Sequence, residues 1–152
     1  MRSMLSVKTG WMIAVFVFLD LVCTGLGMGV PIFCILFGFP VGWCIARRAT
    51  ARPSDTRRIL LDILRGAALT SAVTFCVMAL LWARCVVMLF DPGADLANFG
   101  IPMILYQPVA SFVGWLVLMI FISPFLQFLM TLFGSNSALL WWLSSTTEER
   151  VV

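Results

Sequence analysis

The stretch AALTSAVTFCVMALLWARCVVMLF, residues 67–90, decides the fold. It carries one charge, Arg84, and is long enough to cross a hydrocarbon core of about 30 Å, which takes roughly 20 helical residues. Other apolar runs lie on either side of it. The whole chain of 152 residues is 62% hydrophobic and only 11% charged, with a mean hydropathy of +1.06. A water-soluble fold could not cover that much apolar surface, so lipid is the expected solvent. The fold class read from these runs is all-α: a single-domain, polytopic integral membrane protein. It should have about four transmembrane helices arranged as two hairpins, plus a short amphipathic helix on the cytoplasmic side.

Working outward, the first span is expected at about residues 11–26 and the second at about 31–46. Gly25-Leu-Gly-Met-Gly-Val-Pro31 breaks the helix between them as a tight turn. Each is roughly 24 Å long from the helical rise, short enough to need a thinned bilayer or protein neighbours. Residues 47–66 form a connection. Within it, Ser54 is a helix N-cap candidate, and Ile59, Leu60, Ile63 and Leu64 make one apolar face, as in a helix lying on the membrane surface. The third span covers about 67–90 and ends at Asp91-Pro-Gly. The fourth covers about 109–133, with Pro124 inside it, where it should kink the helix. Trp141 and Trp142, after Gly134-Ser-Asn-Ser, suit an interfacial anchor, and residues 144–152 read as a polar tail.

Charge sets the orientation. Arg2, Lys8, Arg47, Arg48, Arg52, Arg57, Arg58, Arg65 and Arg150 fall in the termini and the central connection, while the loops near Gly27 and Asp95 hold no basic residue. The positive-inside rule then places both termini and the connection in the cytoplasm of a multi-pass cell membrane protein, with the inner membrane the expected location. Asp20 interrupts the first apolar run and no A-x-A-like site follows it, so that run reads as a retained helix rather than a signal peptide.

An internal similarity links residues 29–43 with residues 100–115: both begin Gly-x-Pro and end Val-Gly-Trp. A duplication would give two helical hairpins in parallel orientation.

The chemistry is mostly defined by what the sequence lacks. There is no histidine, no CxxC pair, no GxGxxG and no Walker A pattern. His-dependent triads, axial His ligation of haem and the usual zinc sites are therefore excluded within the chain, and no catalytic, cofactor-binding or metal-binding residue is nominated. Cys23, Cys34, Cys44, Cys76 and Cys85 read as small apolar packing residues. Gly38 with Gly42 and Ala68 with Ala72 are small-xxx-small pairs, expected to pack helices within the monomer. Two charges lie inside spans. Asp20 and Arg84 form the candidate intramembrane polar site, either paired with each other or, for Arg84, snorkelling to the outer headgroups. Arg47, Arg48, Arg57 and Arg58 are candidates for docking anionic lipid or a partner protein.

The function expected from this pattern is non-catalytic: a subunit, scaffold or assembly factor of a larger membrane complex. The alternative is a small transporter or channel in which Asp20 binds a cation or proton. Expected partners are membrane lipid and other membrane protein subunits, or a second copy of the chain. Nucleic acid is not expected, because the basic stretch lacks the aromatic interleaving of base-reading surfaces.

Overall fold

The computed structural model describes residues 9–26, 32–51, 55–100 and 105–148, and within them every side chain except those at 9, 10, 12, 13, 20, 23–26 and 145–148. Every regular element among the described residues is helical, as a chain in hydrocarbon requires, because a helix satisfies its backbone polar groups within its own segment. The elements are α1 (Thr9–Leu26), α2 (Ile32–Thr50), α3 (Thr56–Met88), α4 (Pro108–Val117), a π-helical turn (Leu118–Ile122) and α5 (Ser123–Glu148). Among the described residues, three segments are long and apolar enough to span a membrane: Ile32–Thr50, Thr56–Met88 and the joined rod Pro108–Ser144. Helix α1 coincides with the first expected span. The turn expected at Gly25–Pro31 lies largely outside the described residues, as do Ser54 and Pro102.

Contacts fix the helix directions. Helices α2 and α5 run parallel: Gly38 faces Gln127 and Thr131, Gly42 faces Thr131 and Ser135, and Trp43 meets Trp141 further along. Helix α3 runs antiparallel to α5, since Ser71 bonds to Pro124, Phe75 meets Phe121 and Cys85 packs with Phe112 and Leu116. The start of α2, the end of α3 and the start of α4 therefore share one end of the bundle. The opposite, basic end carries Arg47, Arg48, Arg57 and Arg58 together with the C-terminus of α5. On the flank, Phe16 of α1 stacks on Phe37 of α2 with centroids 5.8 Å apart.

Three details differ from the sequence reading. The amphipathic stretch at 54–65 is not a separate helix, because α3 starts at Thr56 and continues unbroken to Met88. The residue that could interrupt it, Gly66, lies against the Ile45 side chain, where an added Cβ would sit 3.0 Å away, so close packing to α2 favours the glycine within the helix. At 33 residues, about 50 Å, α3 is longer than a hydrocarbon core of about 30 Å is thick. Likewise Gly134-Ser-Asn-Ser does not end the last helix, since Gly134 sits against the Phe39 carbonyl of α2 and α5 runs on to Glu148. The two copies of the internal similarity also differ in where their helices start. Helix α2 begins directly after its Gly-x-Pro, but α4 begins at Pro108, six residues after Pro102.

Between α3 and α4 the loop builds its own turns. The Asp91 carboxylate accepts the Gly93 N–H at 2.9 Å, Asp95 accepts the Asn98 side-chain amide at 2.7 Å, and Gly100 takes a left-handed φ of 85°. Two apolar clusters occupy the ends of the bundle: Ala46, Ala49, Ile63 and Ala138 at the basic end, and Cys85, Phe112, Leu116 and Ile120 at the loop end. The middle is different in kind.

Candidate functional site

Between those clusters α5 presents a row of polar side chains, Ser123, Gln127, Thr131 and Ser135, spaced by four residues and so stacked on one face of the helix. All four are almost completely buried, as is Thr74 of α3. Gln127 lies about midway along the rod Pro108–Ser144 and Thr74 about midway along α3, which sets this band near the middle of the spanning segments.

The lower half of the row is satisfied by backbone. Thr131 donates to the Gln127 carbonyl at 2.8 Å, and the Ser135 hydroxyl lies 2.9 Å from both the Thr131 and Gly42 carbonyls. Such contacts need the two backbones close together, which Gly38 and Gly42 permit. A Cβ on Gly38 would come within 2.6 Å of the Gln127 carbonyl, and one on Gly42 would collide with the Thr131 carbonyl. The Gly38/Gly42 pair thus packs within the monomer, whereas Ala68 and Ala72, expected to do the same, are exposed.

The upper half lacks partners. The Thr74 hydroxyl, the Ser123 hydroxyl and both polar atoms of the Gln127 amide are buried without a hydrogen bond. This is also where the helix is irregular. Pro124 has no N–H to offer the preceding turn and its ring crowds the carbonyl four residues back. The chain relieves this with a π turn, in which Ser123 N–H bonds to the Leu118 carbonyl, five residues back rather than four. Single π turns recur at functional positions in helices. Alongside, Ser71 donates to the Pro124 carbonyl at 2.8 Å and holds α3 against the irregular turn.

On the outer side of that contact lies a groove of about 430 Å³ between α3 and α5. Ala68, Ser71 and Ala72 line one wall, and Phe121, Pro124, Phe125 and Phe128 the other.

Of the candidates named from sequence, Asp20 lies on α1, one helical turn after the buried Phe16, but its side chain is outside the described residues. Arg84 is exposed on α3 and makes no ion pair with a described residue. Arg47, Arg57 and Arg58 are exposed and Arg48 is half-buried, all at the basic end. Cys34 and Cys85 are buried, while Cys44 and Cys76 are exposed. Among the described residues no three His, Cys, Asp or Glu side chains converge as a metal site would require. Sequence reasoning missed the polar band because it weighed charges alone. The signal was present, as Ser, Gln, Thr and Ser recur every fourth residue from 123 to 135 within the fourth apolar segment.

Comparison with protein-family models, curated proteins and solved structures gives no match.

Proposed function

We propose that this chain is a non-catalytic subunit or scaffold of a larger membrane complex, and that it receives a helix of its partner in the groove between α3 and α5. The observation carrying this reading is the groove's lining. Ala68 and Ala72 are exposed one turn apart on α3, the arrangement that lets a second membrane helix approach closely. Phe121 and Phe125 stand exposed on the opposite wall as apolar contacts for it. The one hydroxyl in the lining, that of Ser71, is already engaged by Pro124, so the groove asks for an apolar occupant.

The test is blue-native electrophoresis of the tagged chain in a mild detergent, for the native sequence and for Ala68→Phe and Ala72→Phe. The native chain should migrate in a complex well above its own mass, and either phenylalanine should release it as a monomer. A native chain that migrates alone would defeat the proposal. A band at twice its mass would assign the groove to a second copy.

A second reading, transport of a cation or proton through Asp20, draws on one observation: Phe16, one turn before Asp20 on the same helix face, is turned inward against Phe37. Flux into liposomes containing the native chain or Asp20→Asn decides it, and equal flux from both removes it.

A further inference from the structure

We propose that the upper half of the polar band is a hydration site: a water molecule held near the middle of the membrane by Gln127, Ser123 and Thr74. Four polar atoms there have neither a hydrogen-bond partner nor appreciable exposed surface. Leaving such atoms unpaired costs more than an ordinary hydrogen bond returns, and several in one place compound the cost.

Thr74 and Ser123 lie within about one helical turn of each other in depth, with Gln127 the next turn along. Ser71 on α3 is joined to Pro124 on α5, and α3 runs antiparallel, so Thr74 lies one turn further along α3 and beside the Ser123 turn. Gln127 lies one turn below Ser123 on the same face, and helical side chains lean toward the N-terminus, which directs its amide up toward Ser123.

Their chemistry selects the occupant. The amide offers both a donor and an acceptor, and each hydroxyl can act as either. A guest that also donates and accepts, and is small, satisfies all of them. A cation fits worse, because the amide N–H₂ would oppose it and Thr74, Ser123 and Gln127 carry no negative charge to offset its burial. Room for the guest requires a change of the Gln127 rotamer, beside a π turn where Pro124, lacking an N–H, leaves that segment of α5 less tightly bonded than a regular helix.

The deciding measurement is nuclear magnetic resonance of the full chain in detergent micelles, reading the Gln127 side-chain amide by comparison with Gln127→Leu. A dipolar cross-peak between that amide and the water resonance, at a position inaccessible to a soluble paramagnetic quencher, is the expected result. Its absence overturns the proposal. Thermal unfolding gives an independent check with opposite signs. If water satisfies Gln127, the nearly isosteric Gln127→Leu lowers the melting temperature, since Ser123 and Thr74 lose the bridged partner. If the amide is simply unpaired, removing it raises the melting temperature by several degrees, and the proposal falls. Stabilisation that depends on sodium or potassium, measured against a bulky organic cation, would replace the neutral guest with an ion and also overturn it.

Discussion

The Ser135 hydroxyl on α5 lies 2.9 Å from the carbonyl of Gly42 on α2, a bond between residues 93 positions apart, and it forms because no side chain stands between the two backbones. Gly42 lies so close to α5 that an added Cβ would overlap the Thr131 carbonyl, which is rigid backbone and cannot rotate away. This seam, continued by Phe39 with Phe133 and by Trp43 with Trp141, holds the parallel pair α2 and α5 together.

Gly42→Ala should therefore destabilise the protein by about 1–3 kcal/mol, as overpacking does in close-fitting interiors. Gly114→Ala is the matched control. Its added Cβ meets nothing within 4 Å, so the change should be neutral or stabilising by up to about 1 kcal/mol through helix propensity. Thermal unfolding in detergent, monitored by fluorescence-detected size exclusion, distinguishes them. Equal melting temperatures for the two variants would contradict the packing described for the seam.

What the sequence made legible, and what it hid, follows from how glycine and small polar residues act in lipid. The apolar runs had to become helices, and Gly38 with Gly42 had to allow a close approach, because both consequences depend on local spacing alone. Gly66 and Gly134 fall at the edges of the expected spans, yet the helices run through both, and each lies against α2, at Ile45 and at Phe39. Whether glycine breaks a helix or joins two is decided by a neighbour that the local sequence does not identify. Asp20 and Arg84 drew attention as charges, whereas the buried polar groups described at mid-depth are neutral: Gln127, Ser123 and Thr74. Their burial became visible only once α2, α3 and α5 were brought together.

The helix directions predict sidedness. Loop residue Asn98 and helix residue Arg57 lie at opposite ends of the bundle, and the basic end should be cytoplasmic. In a background with the five native cysteines replaced, Asn98→Cys should react with a membrane-impermeant maleimide on intact cells, whereas Arg57→Cys should react only after permeabilisation. Labelling of both on intact cells would contradict the arrangement.

Arg47, Arg48, Arg57 and Arg58 gather where α2 ends and α3 begins, with α3 long enough to carry its first turns out of the hydrocarbon. Anionic lipid should therefore stabilise the protein more than zwitterionic lipid does, and the difference should shrink as salt is raised. Replacing all four by glutamine should abolish the lipid dependence of the melting temperature. A quadruple variant that keeps the dependence would exclude these residues as the lipid contact.

Arg84 supplies the last prediction. It lies four residues, about 6 Å, from the final residue of α3 and is exposed, with no described residue paired to it. A long flexible side chain at that depth can bring its guanidinium to the headgroups, which costs far less than leaving the charge in hydrocarbon. Asp20, by contrast, lies one turn after Phe16, which is turned inward against α2. If the two charges act on different surroundings, their deletions should add. The cycle of Asp20→Asn, Arg84→Gln and the double variant, read as unfolding free energies in detergent, should close to within about 0.5 kcal/mol. A double variant more stable than the sum of the singles predicts, by well over that margin, would establish the pairing that their isolation in apolar sequence first suggests. Arg84→Lys gives a second reading of the same question, since a lysine also snorkels but cannot make the bidentate contact of a guanidinium with a carboxylate. It should match the native chain if Arg84 reaches the headgroups, and fall between the native chain and Arg84→Gln if Arg84 holds Asp20.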